Sequence, residues 1–95
     1  MLVSLGFKYL LRGIVYMAAA YVLINCEYGS EEEIMKELKE LPELTEIYQA
    51  YGSYDLIAKI SADTIDKLKE AITWHIRRTD KIKSTLTLIA IEGQS

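Results

Sequence analysis

Residues 45–61 read TEIYQAYGSYDLIAKIS, and this stretch decides the fold. Two runs with the β-branched and aromatic composition of strands, 45–51 and 54–61, lie on either side of Gly52-Ser53. Glycine at the first position of a two-residue loop suits a type II′ turn. The stretch therefore predicts a hairpin of strands two and three, in which an acid, Asp55, stands at the start of an apolar strand.

Upstream of the hairpin, the sequence predicts one strand and one helix. The run AYVLINCE (20–27) is dense in apolar and β-branched residues, as in a buried strand. Ser30 and Glu33 fit a capping box at a helix start. Apolar residues then recur at i, i+4 and i+7 across 34–41, the spacing of one helix face, until Pro42 ends the helix.

Downstream of the hairpin, a second helix and a fourth strand complete the pattern. Asp63 is predicted to cap a helix that runs to about Arg78, and KSTLTLIAIE (83–92) follows as a strand. The order β-α-β-β-α-β is that of the ferredoxin-like split βαβ unit, an α+β fold. Two right-handed crossovers place both helices on one face of a four-stranded antiparallel sheet.

The other face of the sheet is predicted to be apolar as well. Alternation along each strand assigns one set of side chains to the face beneath the helices and the next set to the opposite face. In strand four this puts Leu86, Leu88 and Ala90 beneath the helices. The apolar residues predicted on the opposite face are Tyr21, Leu23, Ile57, Ile89 and Ile91. A patch of this size marks a partner surface, and the simplest partner is a second copy packed sheet to sheet in an isologous dimer.

Composition describes one globular domain and argues against several function classes. The chain has 95 residues, 51% hydrophobic and 26% charged, which is ordinary for a folded domain. Residues 18–95 carry all 14 acids and 9 of the 11 bases, a balance that disfavours a nucleic-acid surface. Cys26 and His75 are the only residues of their types, so no disulfide framework or metal site is predicted. His75 is expected to be partly buried, and the expected compartment is the cytoplasm.

Residues 1–17 are predicted to be an extension outside the core domain, which spans 18–95. Their apolar runs are interrupted by Lys8 and Arg12 and fall short of the roughly 20 residues that a spanning helix needs. No membrane span is therefore expected. Three interpretations remain open: an extension encoded upstream of a start at Met17, a helix that packs on the domain or a partner, and a membrane-surface anchor.

Several motifs, in this order, resemble a known family. The most specific are ELPEL (40–44), YGSYDLIAKI (51–60), which matches a Gly-x-Tyr/Phe-Asp hairpin, and STLTLI (84–89). Over residues 18–93 the chain resembles the effector-binding, or RAM, domain of the Lrp/AsnC (leucine- or asparagine-responsive) transcription regulators. Those regulators also carry a DNA-binding helix-turn-helix domain, for which the 17 preceding residues are too few and not basic enough. The resemblance is therefore to stand-alone members, and direct DNA binding is not expected.

The resemblance implies a non-catalytic module without a cofactor. Such domains form homodimers by packing their sheets together, and the dimers assemble into octamer- or decamer-like rings. An amino acid effector binds where neighbouring dimers meet, and the module can also associate with full-length regulators through the same faces. Two alternatives stay open: a small dimeric α+β barrel enzyme and an ACT-like regulatory domain.

The resemblance also implies which residues contact the effector. The predicted effector-binding residues are Gly52, Tyr54, Asp55, Thr64, Thr85 and Thr87. The Asp55 carboxylate would meet the α-ammonium of the amino acid, and Gly52 would let the ligand approach the backbone closely. The alternative for Asp55 is a bond to its own turn or to a lysine, which is common for an acid at a strand end. Threonines in a strand are often simply good β formers.

Overall fold

A four-stranded sheet and two helices form the domain in the computed structural model, which describes residues 18–91. The elements are β1 (Ala18–Cys26), α1 (Glu31–Leu38), β2 (Leu44–Gln49), β3 (Leu56–Ala62), α2 (Ile65–Ala71) and β4 (Ile82–Ile91). One π-helical turn, Ile72–Ile76, continues α2. The extension predicted over residues 1–17 lies outside the described residues.

The sheet has the strand order β2-β3-β1-β4, and every neighbouring pair is antiparallel. The predicted ferredoxin-like α+β fold is therefore confirmed. Its core lies between one sheet face and the helices. Fully buried residues there include Val22, Ile24, Ile34, Leu38, Leu56, Ile60, Leu68 and Ile76. Each such side chain stabilises the fold by roughly 1.5–3 kcal/mol relative to exposure.

Ser30 is the N-cap of α1, as predicted, but its side chain does not cap the helix, and the N-cap of α2 is shifted by one residue. The Ser30 hydroxyl donates to the Glu27 carbonyl at 2.6 Å and makes no cap bond, so the predicted capping box is wrong. Three glutamates in the first turn of α1 still suit the positive end of the helix dipole. At α2 the N-cap is Thr64, one residue after the predicted Asp63, and its hydroxyl accepts from the Lys67 N–H at 3.1 Å.

The hairpin between β2 and β3 has a wider loop than the sequence predicts. The Ala50 N–H donates to the Asp55 carbonyl at 2.9 Å, so the last paired position encloses four residues, Tyr51 to Tyr54. The predicted two-residue type II′ turn is therefore wrong. Glycine is still required, because Gly52 has φ +121°, a conformation that side chains with a Cβ rarely adopt.

The π-helical turn changes which side chains α2 buries near its end. The Arg77 N–H donates to the Ile72 carbonyl five residues earlier, at 3.0 Å. Each residue of such a wide turn advances less around the axis than in an α-helix. His75 therefore does not follow the α-helical wheel onto the buried face and is exposed, contrary to prediction, whereas Ile76 stays buried.

The register between β1 and β4 reverses the predicted faces of β4. Thr87 pairs with Val22, and Ile89 pairs with Ala20. Residues directly opposite in an antiparallel pair point to the same face. Val22 and Ala20 are buried beneath the helices, so Ile89 belongs to the helix side and its predicted place on the opposite face is wrong. Ile91, predicted on that same face, pairs by its backbone with Ala18, and its side chain lies outside the described part of the chain.

The face away from the helices carries different residues of β4. Leu88 pairs with Tyr21, and Leu86 pairs with Leu23, which in turn pairs with Ile57 on its other side. These five side chains therefore share one face. The sheet therefore has a second apolar face, as predicted, but β4 contributes leucines to it where the sequence predicts isoleucines.

Candidate functional site

The sheet face away from the helices, called the open face below, is a large apolar surface. It comprises Tyr21, Leu23, Tyr48, Ile57, Leu86 and Leu88. Leu86 is 44% exposed and Leu88 is 54% exposed. Contiguous exposed apolar side chains of this kind are unusual on a monomer and mark an interaction surface. Polar groups lie at its β2 side, where the Tyr48 hydroxyl donates to Glu46 Oε1 at 3.1 Å and this bond raises the pKa of Tyr48.

One end of the sheet, called the hairpin end below, gathers three loops. Because β1 and β2 run opposite to β3 and β4, the ends of the first two lie beside the starts of the other two. The hairpin loop, the β1–α1 loop and the start of β4 therefore meet there. Tyr28 and Tyr51 are fully exposed at this end, and Tyr54 is half-buried.

Asp55 connects the hairpin to β1. Its Oδ2 accepts a hydrogen bond from the Cys26 N–H at 2.9 Å, and its own N–H donates to the Ile24 carbonyl at 2.9 Å. The acid therefore satisfies a backbone donor at the end of β1, a partner that neither sequence interpretation included. A carboxylate has about four acceptor positions, so Asp55 keeps capacity for a ligand ammonium.

Cys26 is a buried free cysteine beside this carboxylate. Burial raises the pKa of the Cys26 thiol, the charge of Asp55 raises it further, and a hydrogen bond with Ser30 opposes the rise. The thiolate is the nucleophilic form of cysteine, so burial and a raised pKa both disfavour covalent chemistry at Cys26.

A bridge from β4 to α1 closes the hairpin end on the other side. Lys81 has φ +74°, its carbonyl accepts from the Glu27 N–H at 2.9 Å, and its ammonium bonds Glu33 Oε1 at 2.8 Å. The bond to Glu33 raises the pKa of Lys81. The start of β4 is thus held in place by backbone and side chain together.

A concave region, called the β4 cleft below, lies between α2 with its π-helical turn and β4. It measures about 280 Å³ and is lined by Lys69, Ile72, Thr73, Arg77, Thr87 and Ile89. The Thr87 hydroxyl oxygen is buried and makes no hydrogen bond. A buried hydroxyl without a partner costs free energy, and Thr87 carries this cost at the wall of the cleft.

The predicted effector-binding residues do not come together within one chain. Gly52, Tyr54 and Asp55 lie in or beside the loop that joins β2 and β3. Thr85 and Thr87 lie on β4, the edge strand on the other side of β1. Thr85 pairs with Ile24, whose carbonyl accepts from the Asp55 N–H, so only β1 separates it from the hairpin, whereas Thr87 lies farther along β4. The N-cap of α2 is at the far end of β3, away from the hairpin end.

A second cleft, on the opposite side of α2, was not predicted from the sequence. It measures about 460 Å³ and is lined by Glu43, Lys67, Glu70, Ala71, Trp74 and His75. Trp74 is 56% exposed there and carries Arg78 at 4.8 Å from its ring centroid. The sequence signal that could have indicated this surface is Trp74, a single tryptophan on the polar side of the helix.

Residues 18–91 show neither a metal site nor a membrane helix. No group of three potential metal ligands occurs among them. None of their helices has both the length and the apolar character needed to cross a bilayer.

Comparison with known proteins agrees with the motifs in the sequence. The family model of the Lrp/AsnC ligand binding domain matches residues 19–93. A hypothetical protein from Pyrococcus horikoshii is 41% identical with a TM-score of 0.74, over 77% of this chain and 88% of that one. A protein from Thermus thermophilus is 27% identical with a TM-score of 0.75, over 82% of this chain and 98% of that one. No curated protein matches the chain.

The solved structure of E. coli AsnC is similar to this domain over part of its length. The two are 28% identical with a TM-score of 0.72, and the match covers 77% of this chain but 50% of AsnC. The match of the family model spans nearly all of the described residues and includes the hairpin motif and β4. The predicted resemblance is confirmed, and the chain belongs to the family of Lrp/AsnC ligand binding domains.

Proposed function

We propose that this domain is a non-catalytic sensor that binds an amino acid where two subunits meet. It is a ligand-binding regulatory domain by family. The amino acid, the shared site and the assembly are the parts that we add. They rest on the three surfaces described above: the open face, the hairpin end and the β4 cleft.

The observation that carries the proposal is the separation of Asp55 from Thr87. The carboxylate lies at the hairpin end, at the start of β3, and the unpartnered hydroxyl lies on β4, the edge strand on the other side of β1. The register puts their backbones two strand spacings apart across the sheet and about three residues apart along it, roughly 14 Å, which is more than the length of an amino acid. A site that uses both groups therefore takes the hairpin of one subunit and the β4 cleft of another.

Such a site suits the two charged ends of an amino acid. The Asp55 carboxylate would accept hydrogen bonds from the α-ammonium, and the Thr87 hydroxyl would donate to the α-carboxylate. Hydrogen bonds to charged groups are roughly twice as strong as neutral ones. The exposed Tyr28 and Tyr51 at the hairpin end supply rigid aromatic surface for the contact between subunits.

The open face supports a homodimer as the basic unit. Its tyrosines and leucines would be covered by the same face of a second copy, an isologous arrangement. The hairpin ends and β4 clefts lie outside that contact and remain available to join dimers into octamer- or decamer-like rings. Full-length regulators of the family would be able to associate through the same open face.

A solved regulator of this fold is described as a complex with L-Met. It comes from Neisseria meningitidis and is 8% identical to this chain, with a TM-score of 0.70. At that identity the two proteins share only the fold. Methionine is therefore not carried over, and the effector has to be argued from the side chains of this chain.

The test is thermal unfolding in the presence of each of the twenty amino acids, with light scattering to follow assembly. A ligand that binds only the folded state adds RT ln(1 + [L]/Kd), about 2.7 kcal/mol at a hundredfold excess over Kd. We expect one chemical class of amino acid to raise the melting temperature. Asp55→Asn should abolish that rise, and Asp66→Asn, at an exposed acid of α2, should not. If no amino acid changes either melting or assembly, the sensor proposal is wrong.

A further inference from the structure

Taking the proposed function as its basis, we infer that the effector is an acidic amino acid, aspartate or glutamate, and that Lys69 and Arg77 select it. Both cations line the β4 cleft together with Thr87.

The two cations stand on one wall of the cleft. Lys69, Thr73 and Arg77 follow one another at intervals of four residues along α2 and its π-helical turn, and all three line the cleft. The opposite wall is β4, where Thr87 and Ile89 face the helix side. An anion between the walls would meet ammonium and guanidinium on one side and hydroxyl on the other.

None of the described residues that line this cleft is a carboxylate, so the cations are available to a ligand. The neighbouring acid of α2, Glu70, lines the cleft on the other side of the helix, together with Lys67. Arg78 stacks on Trp74 on that same side. Within residues 18–91 neither Lys69 nor Arg77 has an ion-pair partner, whereas Lys81 is paired with Glu33.

The charges of the shared site favour a ligand with one net negative charge. Asp55 contributes one negative charge, and Lys69 and Arg77 contribute two positive charges. A neutral amino acid would leave one cation without a counter-charge. Aspartate or glutamate would place its ammonium at Asp55, its α-carboxylate at Thr87 and one cation, and its side-chain carboxylate at the other. Arginine can bind a carboxylate with two parallel hydrogen bonds, which adds geometric selectivity.

The size of the cleft fits such a ligand. Its volume of about 280 Å³ falls just below the range of roughly 300–1,000 Å³ that is typical of drug-sized ligands. Ile72 and Ile89 contribute the apolar part of the lining, against which the short methylene chain of the ligand can pack.

Isothermal titration of aspartate and glutamate, against asparagine and glutamine, tests the inference. Each pair has nearly the same shape and differs by one charge. We expect the acids to bind at least about tenfold more tightly than their amides, since a hydrogen bond to a charged group is worth about one factor of ten or more. The preference should shrink as salt concentration rises, because the cleft is open to solvent.

Variants assign the preference to the cleft. Lys69→Gln and Arg77→Gln should each weaken binding of the acids by about tenfold to a hundredfold, with little effect on the amides. Lys67→Gln and Arg78→Gln make the same change in net charge on the other side of the helix and should leave binding unchanged. Equal losses in the cleft variants and in these controls would overturn the role of Lys69 and Arg77.

The outcomes separate this inference from the proposed function. If neutral amino acids bind as tightly as acidic ones, the acidic effector is wrong and the sensor stands. If no amino acid binds, both are wrong.

Discussion

Replacing Leu88 by alanine should weaken the proposed dimer without unfolding the subunit. Leu88 is 54% exposed on the open face and pairs with Tyr21 on β1. Burying a whole leucine side chain contributes roughly 1.5–3 kcal/mol, so covering the exposed half contributes about 1 kcal/mol. An isologous interface contains the residue twice, which gives about 2 kcal/mol per dimer. At 1.4 kcal/mol for each factor of ten, the dimer dissociation constant should rise about 30-fold.

Sedimentation equilibrium over a dilution series measures that constant. The matched control is Ile89→Ala, because Ile89 is the next residue of β4 and is 42% exposed, but lies on the helix side. We expect Ile89→Ala to dimerise like the unmodified protein, and circular dichroism to show both variants folded. If Ile89→Ala dissociates and Leu88→Ala does not, the face assignment of β4 is reversed. If the unmodified protein is a monomer at micromolar concentration, the open face does not form a dimer.

Three further predictions concern the hairpin end. Asp55→Ala leaves the Cys26 N–H without its acceptor and should lower the free energy of unfolding in urea by about 1–3 kcal/mol. Asp55→Asn retains an acceptor and should lower it less. Equal stability of Asp55→Ala and the unmodified protein would contradict this. Gly52→Ala should cost about 1–3 kcal/mol through backbone strain alone, since φ is +121° and an added Cβ would meet no atom within 4 Å, while Ser53→Ala should be neutral. Burial raises the pKa of the Cys26 thiol above 9.0, so the folded protein should keep the thiol proton at a pH where the unfolded chain has lost it. The contribution of the thiol to the free energy of unfolding is therefore complete below pH 9.0 and is lost as pH rises through the folded pKa. Urea titrations from pH 7 to pH 10 should show a smaller alkaline decline for Cys26→Ala.

The order of elements was predictable because each one has its own local signal, but the faces of β4 were not. Residues 85–90 read TLTLIA, in which both alternating sets are apolar enough to be buried. A shift of one residue exchanges the two faces of a strand. The choice is made by pairing with β1, where Thr87 lies opposite Val22, and the pairing shifts between Asn25 and Cys26. The sequence of β4 alone therefore does not determine which of its two sets of side chains faces the helices.

The site was predicted in part for a similar reason. An acid at the start of an apolar strand signalled that Asp55 has a specific partner. Its partner, the Cys26 N–H, becomes apparent only when the topology places β1 beside β3. In the sequence, Arg77 indicates only a solvated helix end, and Lys69 has no distinguishing signal. The meaning of both cations depends on Thr87 facing the helix, which is the same register that the strand pattern leaves undetermined.

The position of β1 has a consequence for biosynthesis. Of the four strands in residues 18–91, β1 is translated first, yet it is an inner strand of the sheet, and its two neighbours are β3 and β4. Ala18 can pair with its two partners only after Ala62 and Ile91 have been synthesised. Such non-local pairing slows folding and leaves an apolar strand edge exposed to aggregation in the meantime. We therefore expect the nascent domain to be protease-sensitive until β4 has been translated, and to become resistant in a single step when that strand is released.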